Sequence, residues 1–106
     1  MQEILLIGWT TVDSEAAAQC FASGMMEQGL AVCVQIDAEV QSIYRWEGEL
    51  QFEREWRLMV KFAAALSSEL LAYIEGKHPY DVPEWVVVRA EQVAPAYLTW
   101  AMRANV

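Results

Sequence analysis

The sequence predicts a single α+β domain, residues 1–106, with the element order βαββαβ followed by a C-terminal helix. Three observations predict it. Two long runs of period-two hydrophobicity lie back to back in mid-chain, residues 32–46 and 50–62. Two stretches with helical spacing and capping residues flank that pair. A short apolar run precedes the first helical stretch, and another follows the second. This order is the split βαβ, or ferredoxin-like, arrangement, with helices on one face of an antiparallel sheet.

The first run, ILLIGWT, reads as a strand buried on both faces. Asp13 then supplies an N-cap, with Ser14 and Glu15 in the first turn. Ala17, Cys20, Phe21, Gly24 and Met25 recur at helical spacing, which predicts an amphipathic helix over 13–28 with Gly29 at its C′ position.

In the first mid-chain run the even positions are apolar: Val32, Val34, Ile36, Ala38, Val40, Tyr44 and Trp46. The second repeats the parity with Leu50, Phe52, Trp56, Leu58, Val60 and Phe62. A turn around Glu47-Gly48-Glu49 joins the two as a hairpin of the second and third strands. Apolar residues share one face only if even positions pair with even ones, which requires an odd-length loop or a bulge. A three-residue loop sets Trp46 opposite Leu50, Tyr44 opposite Phe52, Val40 opposite Trp56 and Glu39 opposite Arg57. Ser42 and Arg54 then interrupt the face opposite one another.

Each arm runs about 15 residues, or about 50 Å at about 3.3 Å per residue, well beyond an ordinary strand. No helix in the chain is long enough to shield the far end, which carries Tyr44, Trp46, Phe52 and Trp56. An aromatic patch of that size is a partner surface, so the strand length predicts self-association. Arg54 is a candidate anchor across a subunit boundary.

Ser67 or Ser68 caps a second helix reaching about Lys77, with Leu70, Leu71 and Ile74 inward. Pro79 disfavours helical geometry at His78 and ends it. EWVVVRA is the fourth strand, and Pro95 opens a final helix with Tyr97, Leu98 and Ala101 inward.

Composition excludes several functions. The chain is 56% hydrophobic, which argues against disorder. No apolar run approaches the length that spans a bilayer, and MQEILLIGW lacks the features of a signal peptide. The formal charge of −8 opposes a nucleic-acid partner and favours cations over the surface. Cys20 and Cys33 form no CxxC pair, so two free thiols in a reducing cytoplasm are expected. There is no RNA-binding aromatic-basic strand, no phosphate-gripping loop after the first strand and no MxCxxC copper loop. Nothing in the spacing brings a cysteine beside the histidine for nucleophilic chemistry.

The motif KHPYDVPEW holds the single histidine. His78, Asp81 and Glu84 together offer imidazole and carboxylate, a donor set that suits Cu(II) or Zn. Alternatively, the prolines fix a polar corner in which His78 and Tyr80 bond to nearby backbone.

The segments GWTTVDSEAAA, GLAVCVQI, SIYRWEGEL and KHPYDVPEW, ending in YLTW, together resemble the divalent-cation tolerance (CutA) family over nearly the whole chain. The resemblance implies a ferredoxin-like domain assembled as a homotrimer through extended hairpins. It also implies a cytoplasmic protein of metal response, with no enzymatic activity and no required cofactor. Architectural likeness to PII-type signal proteins implies an alternative: a signalling or scaffolding trimer that binds a small molecule or protein in inter-subunit clefts. The motif turn maps onto His78, Pro79, Tyr80 and Pro83, and the family carboxylate onto Glu84. Cys33 matches a strand cysteine, giving His78, Glu84 and Cys33 as candidate ligands for copper or another divalent metal. Trp9 stands where some members carry a metal-associated cysteine, and TTVDSE replaces the common TAPDEE.

Overall fold

A computed structural model describes residues 3–37 and 39–103. Its spine is one long strand. The elements run β1 (Leu5–Val12), α1 (Glu15–Glu27), β2 (Cys33–Ile36), β3 (Val40–Trp46), β4 (Glu49–Ala63), a 3-10 turn (Ala64–Leu66), α2 (Ser67–Lys77), β5 (Val86–Arg89) and α3 (Pro95–Arg103). The strands form one antiparallel sheet in the order β2-β4-β1-β5, and β3 continues beyond β2 along the same edge of β4. The predicted βαββαβ order with a C-terminal helix is present, with the first hairpin arm divided in two.

Alternation decides which side each helix covers. The even positions Leu58, Val60 and Phe62 of β4, with Val12 and Leu6 of β1, pack against Phe21 and Met25 of α1 and Leu70 and Ile74 of α2. The odd positions Leu5 and Cys33 meet Leu98, Ala101 and Met102 of α3 on the other face. Helix α1 is capped by Ser14, whose Oγ accepts from the Ala17 N–H at 3.0 Å, so the expected cap moves from Asp13 by one residue. Its end is a Schellman motif: Gly29 has φ 68°, Gly29 N–H donates to Met26 O, and Leu30 N–H donates to Met25 O. Neither Ser67 nor Ser68 caps α2, because the 3-10 turn leads directly into it. Leu71 faces solvent, contrary to its expected inward position, as does much of Tyr97.

The hairpin register differs from the expected one. Near the core, Val34 pairs with Val60 and Ile36 with Leu58, even with even. Beyond residues 37–39 the pairing shifts: Val40 opposes Glu55, Tyr44 opposes Gln51 and Trp46 opposes Glu49. Three residues on one arm thus face two on the other, a bulge-type break. The parity rule is met there and not in the loop, which is a two-residue turn with Glu47 at φ 49° and Gly48 at φ 81°. Positive φ at both positions is the type I′ pattern, whose twist matches the strands.

The two faces of the outer ribbon change accordingly. Ile43, Leu50, Phe52 and Arg54 share one side; Tyr44 and Trp46 lie on the other with Glu49, Gln51 and Glu53. Arg54 opposes Gln41 and Ser42 opposes Glu53, so those two do not meet. Trp56 belongs to the core end, opposite Val12. Ala38, part of the predicted apolar set, lies outside the described residues. Charge pairs flank the break: Arg57 donates to Asp37 at 2.8 Å, and Arg54 to Glu39 at 2.8 Å. The ribbon gives the molecule its 47 Å long dimension.

Candidate functional site

Pro79 removes helical geometry from the residue before it, and His78 is extended, with φ −64° and ψ 140°. Helix α2 therefore ends on the His78 N–H to Ile74 O bond, and the chain turns the imidazole back toward the sheet. The residue is 9% exposed. It packs edge-on against Phe21 of α1 at 5.2 Å between centroids, and Tyr80 lies 5.0 Å away on its own turn.

Both ring nitrogens are engaged. The Tyr80 backbone N–H donates to Nδ1 at 3.0 Å. A backbone N–H can only donate, so Nδ1 is the unprotonated nitrogen and Nε2 carries the hydrogen. That hydrogen points at the Thr11 carbonyl oxygen and the Thr10 Oγ1, each at 3.0 Å. Burial lowers the His78 pKa below its ordinary value; the Thr11 carbonyl, then Glu55 and Asp13, oppose the shift. The ring is thus a neutral, oriented bridge between the 78–84 turn and β1.

Tyr80 extends the bridge. Its hydroxyl donates to Glu55 Oε2 at 2.8 Å. Glu55 is only 7% exposed. Burial raises the Tyr80 pKa, reinforced by the hydrogen bond to Glu55 and by nearby carboxylates, so the phenol stays protonated as the donor. Glu84 remains exposed to solvent. Partial desolvation and the Glu55 charge raise its pKa, and Arg57 opposes them.

The structure therefore brings His78, Tyr80 and Glu84 onto one turn and separates Cys33 from them. Cys33 pairs with Lys61 on the odd face beneath α3, while His78 lies on the α1 face. Trp9 also lies on the odd-parity side of β1, opposite Met59 and Val86. Pro79 is exposed and Pro83 half-buried at the two ends of the turn. Among the described residues, no three His, Cys, Asp or Glu side chains converge in a metal-ligating group. An imidazole ligand needs a free nitrogen lone pair. Here the Nδ1 pair is taken and Nε2 is protonated, so the His78 turn does not fit an imidazole-led metal centre.

Sequence reasoning missed Thr10, Thr11 and Glu55. The even position of Thr10 on β1, facing the helices, is the one available signal: a polar residue on a core face needs a partner. Glu55 sits in a run of polar odd positions and carries no such mark. Ile43 was missed as the partner of Phe52, because an odd position joins that face only once the register has shifted.

The CutA1 divalent ion tolerance protein family model matches residues 6–104. The divalent-cation tolerance protein CutA of Thermus thermophilus is 38% identical over 105 residues, covering 99% of this chain and 98% of that one. A CutA homolog of Xenopus laevis is 35% identical over 96 residues, covering 91% of this chain; the match spans 64% of that longer relative. The structure of CutA from Synechococcus elongatus superposes with a TM-score of 0.93 at 32% identity, covering 99% of this chain and 93% of that one.

Proposed function

Since the chain belongs to the CutA1 divalent ion tolerance protein family, we propose that it is a non-catalytic, homotrimeric, cytoplasmic member of the divalent-cation response class. The observation that carries this reading is the outer ribbon, which carries exposed large apolar side chains on both sides, with nothing among the described residues to cover them. Ile43, Leu50, Phe52 and Trp46 are each at least half exposed. Isolated hydrophobic residues on a surface are ordinary, but a contiguous apolar projection is a contact surface. Further strand surface is also open, at Val86 and Val88 of β5. The family resemblance supplies the number three, and two free cysteines suit a reducing compartment.

Cation contact in this reading is weak and carboxylate-led. Glu84 is exposed on a surface of net charge −8, and partial desolvation, then the nearby Glu55 charge, raises its pKa. Such a surface concentrates divalent ions, copper included, without a closed coordination sphere.

Light scattering of the full chain tests the assembly. A mass of three copies of the 12.0 kDa chain is expected; a single copy at micromolar concentration overturns it. Calorimetric titration with Cu(II) tests the cation contact. Glu84→Gln should weaken the heat signal, and identical isotherms remove Glu84 from the reading.

A further inference from the structure

We propose that the chain Thr10–His78–Tyr80–Glu55 is a strut that fixes the angle at which the hairpin leaves the sheet. Its importance for assembly rests on the reading that the hairpin joins copies.

The position of Glu55 is the first reason. Strand β1 ends its pairing at Val12 opposite Trp56. From Glu55 outward, β4 has only β3 beside it. Glu55 is therefore the first residue of the two-stranded ribbon. It also lies immediately past the register break at residues 37–39, opposite 56 and 57. A bulge bends and twists a strand, so the ribbon's direction is least constrained by backbone pairing at this point.

The second reason is the nature of the other ties at the joint. One backbone bond, Asp37 N–H to Arg57 O at 2.8 Å, lies at its inner edge. The Asp37–Arg57 and Glu39–Arg54 pairs flank it, with side chains partly exposed to solvent. Exposed ion pairs contribute little and are screened by salt. The Tyr80–Glu55 bond differs: its acceptor is buried and charged, which strengthens a hydrogen bond. Tyr80 is in turn tied through its own N–H to a ring anchored on β1 at Thr10 and Thr11. The chain runs from the main sheet to the ribbon base without passing through the break.

A strut and a metal site make opposite demands on the same residues. The strut needs the Tyr80 hydroxyl and any acceptor at position 55. A metal site needs the Glu55 charge and no phenol proton. The experiment compares Tyr80→Phe with Glu55→Gln, whose amide oxygen can still accept from the phenol.

Spin labels at native Cys20 and at Glu49→Cys, in a Cys33→Ser background diluted with unlabelled chain, report the ribbon angle. We expect Tyr80→Phe to broaden the distance distribution and Glu55→Gln to keep it narrow. Subunit dissociation should strengthen about tenfold or more in Tyr80→Phe, the order of effect for losing a charge-assisted bond. Should Tyr80→Phe melt before labelling, Glu55→Ala removes the acceptor at the other end of the same bond and should broaden the distribution too. An unchanged distribution in Tyr80→Phe or Glu55→Ala overturns the strut. So does a Zn(II) titration in which Glu55→Gln abolishes binding and Tyr80→Phe leaves it intact. Light scattering keeps the two readings apart: a single wild-type copy ends the assembly reading, while the label distances still decide the strut.

Discussion

The indole of Trp85 lies against Gly8 so closely that a methyl group added to Gly8 would overlap its six-membered ring. Trp85 also meets Phe62 at 5.9 Å between centroids, so the ring closes the α1–α2 side of the core where the 78–85 turn feeds β5. A glycine on the central strand β1 is explained by this approach. Gly8→Ala forces the indole or the strand aside and should cost about 1–3 kcal/mol, the usual range for overpacking. Urea unfolding measures it; an unchanged midpoint would show that Trp85 swings away freely.

The buried imidazole predicts a pH dependence with a definite sign. The folded-state pKa of His78 lies below the ordinary 6.5, so the unfolded chain takes up the proton first. Stability from the neutral ring is complete above 6.5 and is lost as pH falls from there toward the lowered value. Glu84 acts in the opposite sense: its raised pKa favours the folded protein as pH falls through the window just above 4.5. Its exposure makes that contribution small. Thermal melts between pH 7.5 and 6 should therefore show a falling midpoint in the wild type and a flatter profile in His78→Asn. Parallel profiles would mean that the ring titrates as it does in the unfolded chain.

The register predicts that both sides of the ribbon matter for assembly. Phe52 and Trp46 face opposite ways and are mostly exposed within one chain. Phe52→Glu and Trp46→Glu should each leave far-UV circular dichroism unchanged. Each should alter single-chain stability by no more than about 0.5 kcal/mol, as surface substitutions do. Each should also lower the mass seen by light scattering, whereas a ribbon with one working side would lose assembly in only one of the two.

The turn gives two substitutions of opposite sign. Gly48 at φ 81° is in a region that disfavours a side chain, so Gly48→Ala should cost about 1–2 kcal/mol. Glu47 already occupies φ 49° without being suited to it. Asn-Gly is the preferred pair for this turn type, so Glu47→Asn should stabilise the ribbon by a few tenths of a kcal/mol, on the order of a turn preference. Chemical denaturation of both variants checks the pair.

Much of the fold was legible because alternation is a local property. The even positions of β4 had to face one side of the sheet, and Leu58, Val60 and Phe62 do. Gly29 and Pro79 each marked a helix end, since each acts through its own backbone geometry. The Asp13 cap was misplaced by one residue because Asp13 and Ser14 both suit that role, and only the bond to Ala17 selects Ser14.

The sequence by itself determined the strand and helix order, the length of the ribbon and the need for one odd residue within it. Where that residue went was a tertiary decision. In the inner half, burial under α1 and α2 enforces even-with-even pairing; in the outer half no helix enforces it, so the tight turn sets the register and the odd residue falls at 37–39. The role of His78 was decided in the same way. One histidine between prolines can ligate, catalyse or brace. The nearness of Thr10, Thr11 and, through Tyr80, Glu55 exists only once strands distant in sequence lie side by side, and those partners leave the ring no free lone pair.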